Sequence, residues 1–93
     1  MQSPAPTDWE SYARELGLEL QRRRSVAGLS QEKLASRAGM TRTHYQQLER
    51  GAWKPGQPAN PSLRVLVGLA QALGVEVGDL LPSVSRVDLS WFE

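Results

Sequence analysis

Apolar residues recur at helical spacing in five stretches of the chain, and most of these stretches are bounded by residues that favour helix ends. The first stretch begins at Trp9, and Thr7 with Glu10 fits a capping box at its start. It should end near Ala27, because Gly28 readily adopts the left-handed conformation that stops a helix. The pattern therefore predicts a first helix between the capping box and residue 27.

The next two stretches are short and are separated by one tight turn. Ser30 is the expected cap of a second helix, which Gly39 ends. Thr41 is the expected cap of a third helix, which Gly51 ends. The small and apolar positions that would pack the two helices together are Leu34, Ala35, Ala38, Met40, Tyr45 and Leu48. Two short helices around a glycine turn predict a helix-turn-helix over residues 31–50.

The rest of the domain contains one irregular stretch and two further helices. Residues 51–61 hold three prolines and two glycines, a composition that predicts no regular secondary structure. A fourth helix should begin near Ser62, with Leu63 among its apolar residues, and should stop at Gly74. A short fifth helix should end before Pro82.

The end of the chain has a different pattern, because Val87, Leu89 and Trp91 alternate with polar residues as in a strand. Such a segment would either pack on the first helix or pair with a second copy of itself. The chain therefore divides into a disordered lead, residues 1–6, one all-α domain of five helices, residues 7–82, and a tail, residues 83–93, that is a candidate dimerisation element.

Composition narrows the class of protein. The chain of 93 residues is the size of one domain. It has no cysteine and a single histidine, so we expect no disulfide, no zinc site and no cofactor. The N-terminus lacks the features of a secretory signal, and no stretch approaches the roughly 20 apolar residues of a membrane span. These observations predict a cytoplasmic protein that does not enter a membrane.

The charges are distributed unevenly although the net charge is only +1. Residues 22–64 contain nine basic and two acidic residues, a net charge of +7. The two flanks contain two basic and eight acidic residues, a net charge of −6. A basic centre of this kind is expected of a domain that binds a polyanion. The alternative is a solvated surface on which the charges cluster by chance.

Several motifs resemble the helix-turn-helix of the phage repressor and Cro class, also called the xenobiotic-response-element family of bacterial regulators. They are residues 28–35, the Gly39 turn, residues 48–51, residues 61–63 and residues 69–75, and together they cover about residues 16–81. The resemblance implies a repressor-like fold and sequence-specific binding of double-stranded DNA.

The same resemblance implies roles for individual positions. The residues expected to contact base edges are Arg42, Thr43, Gln46 and Gln47, and those expected to contact the DNA backbone are Ser30, Gln31, His44 and Lys54. The chemistry agrees, because arginine forms paired hydrogen bonds to guanine and glutamine does so to adenine. The spacing of the four base-contacting positions also places them on one face of a helix, opposite the packing residues Tyr45 and Leu48.

The family pattern further implies an ion pair between Arg24 and Glu49 that links the first and third helices; the alternative is that both are ordinary surface charges. The loop after Gly51 is longer than is usual in the family, where it contacts the sugar-phosphate backbone. Its Trp53 would either approach that backbone or cover the core. Lys54 is the loop residue that we expect at a phosphate.

The function that follows is a transcriptional regulator, a repressor or autoregulator, that reads a pseudo-palindromic operator as a homodimer. The alternative is an antitoxin that binds a protein toxin, and a restriction–modification controller is a variant of the DNA-reading function. An enzyme is not expected. The lone histidine, His44, has no carboxylate partner on its helix face, and the chain contains no nucleophile elbow or phosphate-binding loop.

Overall fold

The computed structural model describes residues 8–90, which form five helices around one core and a small hairpin between the third and fourth helices. The helices are α1 (Trp9–Val26), α2 (Gln31–Arg37), α3 (Arg42–Arg50), α4 (Leu63–Leu73) and α5 (Val77–Leu80). The strands are β1 (Ala52–Lys54) and β2 (Gln57–Pro58), and a 3-10 turn, Val84–Arg86, follows α5. The predicted all-α, five-helix class is confirmed.

The helix ends follow local chemistry. The side chains of Ser30, Thr41 and Ser62 each accept a hydrogen bond from the backbone N–H three residues later, as predicted for N-caps. Gly51 and Gly74 end α3 and α4 with φ angles of 80° and 71°, a conformation that costs glycine little. These five boundaries were all predicted from the sequence, because capping depends on only a few consecutive residues.

The predicted capping box at the start of α1 is wrong. Asp8 is the N-cap, and its Oδ1 accepts a hydrogen bond of 2.9 Å from the backbone N–H of Ser11. Thr7, the residue expected in this role, lies outside the described residues. Aspartate is among the strongest N-cap residues, so the helix begins one position later than the box would place it.

The core is built from the apolar faces of all five helices. Its largest fully buried side chains are Tyr45, Leu20, Leu34, Leu48, Leu69 and Leu80. Helical spacing predicted Leu34, Tyr45 and Leu48 of this set as packing residues, whereas Leu63, an apolar position of the same kind on α4, is an exception. Leu63 is 71% exposed, because it occupies the first position of the helix and points away from the core that Leu69 and Ala70 enter.

The expectation of no regular structure in residues 51–61 is wrong. β1 and β2 pair in an antiparallel hairpin, with Ala52 opposite Pro58 and Lys54 opposite Gln57. Gly56 has a φ angle of 77° and supplies the left-handed residue of the turn. Pro58 lies in a two-stranded sheet, where a residue without an N–H is tolerated because both strands are edge strands.

The start of the tail packs on α1, which is one of the two arrangements that the sequence left open. The hydroxyl of Tyr12 donates to the carbonyl oxygen of Pro82 at 2.7 Å, and Arg86 Nη2 lies 2.7 Å from Glu15 Oε1. Trp91 and Phe92 lie outside the described residues. The contacts of Pro82 and Arg86 therefore hold the segment after α5 against the first helix.

No single helix within residues 8–90 is long and apolar enough to cross a membrane. Two segments, Leu63–Leu73 and Val77–Arg86, together have the length and composition of a membrane span, but they are bent by 91° relative to each other. Its residues Leu69, Ala70 and Leu80 are buried in the protein core.

Candidate nucleic-acid interface

The two helices of the predicted helix-turn-helix are held at a fixed angle by a short turn. Gly39 has a φ angle of 74°, and the backbone N–H of Met40 donates to the carbonyl oxygen of Ala35 at 2.9 Å. Leu34 and Tyr45 are fully buried below the turn. The opposite face of α3 is therefore presented outward by a rigid pair of helices.

A glycine in the middle of α1 sets the distance between α1 and α3. A Cβ atom on Gly17 would lie 2.4 Å from the backbone oxygen of Glu49 and 2.6 Å from that of Leu48. Gly51, at the end of α3, makes a similar close approach to the backbone of Arg14. The helical pattern alone did not identify Gly17, since close contact between two backbones leaves no local signal in the sequence.

Arg24 and Glu49 form an ion pair at the junction of α1 and α3. Arg24 Nε lies 2.6 Å from Glu49 Oε2, and the two side chains are only 17% and 7% exposed. Arg24 Nη1 also donates to the carbonyl oxygen of Leu29 at 2.9 Å. This pair is not an ordinary surface contact, because most of both side chains is removed from water.

Two further side chains converge on the same carboxylate, and sequence reasoning missed both. The hydroxyl of Tyr45 donates to Glu49 Oε2, and Gln31 Nε2 donates to Glu49 Oε1 at 2.9 Å. Burial alone would raise the pKa of Glu49, but the hydrogen bonds from Arg24, Tyr45 and Gln31 and the charge of Arg24 outweigh it and lower that pKa. Burial, together with the Glu49 carboxylate, raises the pKa of Tyr45. Glu49 is therefore held as a buried carboxylate that accepts from three residues.

The four residues expected at base edges fall into two pairs on α3. Arg42 and Thr43 are exposed, and within residues 8–90 their side chains make no hydrogen bond or ion pair to the protein. Gln46 and Gln47 are half-buried. Gln46 Nε2 donates to Gln31 Oε1 at 3.1 Å, and Gln47 Nε2 donates to the carbonyl oxygen of Trp53 at 3.0 Å.

The residues expected at the DNA backbone surround this face. Ser30 is exposed, and its hydroxyl caps α2 through the backbone N–H of Lys33 at 3.0 Å. Gln31 is half-buried beside it. The half-buried ring of His44 packs against Trp53, with ring centroids 5.2 Å apart, while Lys54 is exposed on β1.

Trp53 connects the hairpin to the rest of the interface. Its side chain is half-buried and packs against the core, which favours the role of a cover over that of a backbone contact. Its contacts with His44 and Gln47 bring β1 alongside α3. The hairpin is thus joined to the outward face of α3, with Lys54 at its exposed end.

The unpaired positive charges within residues 8–90 belong to a few neighbouring elements of the chain. Arg22 and Arg23 share the carboxylate of Glu19 on α1, which compensates one of their two positive charges. The exposed basic residues that make no ion pair within residues 8–90 are Lys33, Arg37, Arg42, Arg50, Lys54 and Arg64. All six come from the helix-turn-helix, the hairpin and α4, and the described part of the chain has no cluster of metal-ligating side chains.

Comparison with known proteins gives a consistent result. The family described as "Helix-turn-helix domain" matches residues 15–84. An uncharacterized HTH-type transcriptional regulator of Sinorhizobium fredii, y4dL, is 33% identical over 73 residues, which are 74% of this chain and 34% of that protein. A second, y4dJ of the same organism, is 36% identical over 66 residues, 71% of this chain and 78% of that protein. The chain thus spans about a third of the first relative and most of the second.

A solved structure shares both the fold and part of the sequence. The restriction-modification controller protein C.AhdI from Aeromonas hydrophila superposes with a TM-score of 0.67 and 35% sequence identity. The match covers 76% of this chain and 98% of the controller. The resemblance to the phage repressor and Cro class that the sequence motifs indicated is confirmed by these findings.

Proposed function

Because this chain belongs to the helix-turn-helix domain family of DNA-binding transcriptional regulators, which are not enzymes, we propose that it reads a pseudo-palindromic operator as a homodimer. In this proposal α3 lies in the major groove, and the protein acts in the cytoplasm as a repressor or autoregulator. The likeness to a restriction-modification controller over 98% of that protein's length supports a regulatory role.

The observation that carries the proposal is the outward face of α3. Arg42 and Thr43 project from it without protein partners in residues 8–90, whereas the opposite face is fully buried through Tyr45 and Leu48. A rigid helix that presents free hydrogen-bonding groups is what base readout requires. The unpaired cations around it would contact phosphates, which carry no sequence information but add affinity.

A homodimer is needed because one recognition helix contacts too few base pairs to define a useful site. A surface formed by Leu18 of α1 and Leu81 and Pro82 after α5 supports this part of the proposal. Leu18 is 57% exposed, and Glu15 and Glu19 line the same surface. Both glutamates are two residues away from Gly17, which packs on α3, and therefore lie on roughly the opposite side of α1. The Leu18–Leu81 surface therefore faces away from α3, so a second copy could bind there without covering the DNA-reading face.

Replacement of Arg42 with alanine should relax the sequence preference at one position of each half-site. A paired contact from arginine to guanine contributes about 1–3 kcal/mol of discrimination, so the preference there should fall by roughly tenfold to a hundredfold. The measurement is selection of bound duplexes from a random pool by the wild type and by the variant. An unchanged set of selected sequences would show that Arg42 does not contact a base.

Replacement of Lys54 with alanine should have a different effect and serves as the matched control. Because we expect the ammonium group of Lys54 to contact a phosphate, its loss should weaken binding to all sequences alike. The slope of the logarithm of affinity against the logarithm of salt concentration should also become shallower by about one. The measurement is the dissociation constant for specific and random duplexes at several salt concentrations. A loss of affinity for the specific site alone would contradict a backbone role.

Replacement of Leu18 with lysine should weaken the dimer by about 100-fold or more, because each of the two copies would lose about 1.5–3 kcal/mol of apolar burial. The measurement is the mass in solution at micromolar concentration by sedimentation equilibrium. Leu63→Lys, at an apolar position of similar exposure on α4, is the control and should leave the dimer intact. Removal of residues 83–93 should weaken the dimer as well. Equal masses for Leu18→Lys and the wild type would contradict the assigned surface.

A further inference from the structure

The buried carboxylate of Glu49 determines how the side-chain amide of Gln31 is oriented. An ionised carboxylate can only accept hydrogen bonds, and Arg24 lies 2.6 Å away, so Glu49 stays ionised. Gln31 must therefore turn its nitrogen toward Glu49, and the observed distance from Gln31 Nε2 to Glu49 Oε1 is 2.9 Å. The opposite orientation would place two acceptor oxygens against each other.

The orientation of Gln31 in turn determines that of Gln46. With its nitrogen on Glu49, Gln31 presents Oε1 to α3, where it accepts from Gln46 Nε2 at 3.1 Å. Gln46 must offer its nitrogen at this point, because an oxygen there would meet the oxygen of Gln31. Within residues 8–90 no hydrogen bond is made to Gln46 Oε1, the other polar atom of that amide.

We infer that Glu49, acting through Gln31, fixes the amide of Gln46 with its oxygen toward the major groove, so that Gln46 selects a base carrying an amino group and favours adenine. The inference rests on the proposed function, since it requires α3 to lie in the groove. Within that function, Gln46 is the specificity-determining residue, whereas Gln31 and Glu49 are positioning residues.

The base preference follows from the groups at the major-groove edge. Adenine presents the N6 amino donor beside the N7 acceptor, and cytosine presents the N4 amino donor. Guanine presents only the acceptors O6 and N7, and thymine presents the acceptor O4 beside its methyl group. The fixed oxygen of Gln46 can accept from adenine or cytosine, and the second N–H of the amide can also reach N7 of adenine. Guanine and thymine would place an acceptor against that oxygen.

An amide without this restraint has a weaker preference, because only one of its two orientations is then suited to adenine. If Gln31 is shortened to alanine, the Gln46 amide is free to rotate about its last torsion and to offer either its oxygen or its nitrogen. Guanine then becomes acceptable, because two acceptors can be met by the amide N–H groups. The restraint thus strengthens the preference for adenine beyond what an unrestrained glutamine at position 46 would have.

The test is selection of bound duplexes by the wild type and by Gln46→Ala, Gln31→Ala and Gln71→Ala. Gln46→Ala identifies the base position that residue 46 contacts, as the one whose preference disappears. The wild type should select adenine there over guanine by about tenfold or more, and Gln31→Ala should reduce that ratio to about twofold or less. Gln71→Ala removes an exposed amide from α4 and should leave the ratio unchanged. Thermal unfolding of each variant separates a change in preference from a loss of folded protein.

Three outcomes would overturn the inference while leaving the proposed function intact. They are a wild-type preference for guanine or thymine at the position contacted by residue 46, an unchanged ratio in Gln31→Ala, and a Gln46→Ala variant that alters no position. A wild type that enriches no sequence at all would instead overturn the proposed function, and the inference with it.

Discussion

Replacement of Glu49 with alanine should lower the free energy of unfolding by about 3–5 kcal/mol, because it leaves the charge of Arg24 buried without a partner. The hydroxyl of Tyr45 and the amide of Gln31 would lose their acceptor in the same step. For a domain of this size, the melting temperature should fall by about 15 °C or more. The measurement is urea and thermal unfolding followed by circular dichroism.

Glu19→Ala is the matched control for this substitution. Glu19 pairs with two arginines and Glu49 with one, but the pairs of Glu19 lie along α1 and are more exposed, where such contacts contribute about 0–1 kcal/mol. The glutamate with more ionic partners is the more exposed one, so burial rather than the number of partners should decide the loss of stability. Equal losses of stability for the two variants would contradict the importance of the buried site.

The pH dependence of stability provides a second test of the role of Glu49. The pKa of Glu49 is lowered in the folded protein, so its contribution is fully present above its ordinary pKa of 4.5 and is lost as the pH falls through the lowered folded value. Unfolding of the wild type should therefore become easier with acid below about pH 4.5, and Glu49→Ala should show a smaller slope there. Parallel curves for the two proteins would contradict the lowered pKa.

Replacement of Gly17 with alanine should destabilise the protein by about 2–3 kcal/mol, although alanine is the better helix former. In an isolated helix the change would be favourable by about 1 kcal/mol. Here the added Cβ would lie 2.4 Å from the backbone oxygen of Glu49, and no side-chain rotation can relieve a contact with backbone. The expected result is a lower melting temperature together with weaker DNA binding, because α3 must move away from α1.

Gly78→Ala is the control for Gly17→Ala, since it makes the same chemical change in α5. A Cβ atom on Gly78 would meet no atom within 4 Å, so the variant should be neutral or more stable by up to about 1 kcal/mol. If Gly17→Ala were as stable as Gly78→Ala, the close packing of α1 on α3 would be wrong.

The site was predicted from the sequence only in part, and the reason differs from residue to residue. Arg42 and Thr43 are exposed on α3, as periodicity alone requires once Tyr45 and Leu48 are assigned to the core. The link from Glu49 through Gln31 to Gln46 joins side chains that are 18 and 15 residues apart. No spacing rule describes such a contact, because it depends on the angle at which α2 and α3 meet.

The sequence by itself determined most of the helix boundaries and most of the residues that enter the core, because capping and amphipathic spacing act over a few neighbouring residues. It did not determine the hairpin of residues 52–58, where turn geometry and pairing overrode a composition rich in proline and glycine. Only the tertiary structure decided that Gly17 must lack a side chain and that Glu49 orients two glutamine amides. Both depend on how closely separate helices approach, and that distance is set by the packing of the whole core.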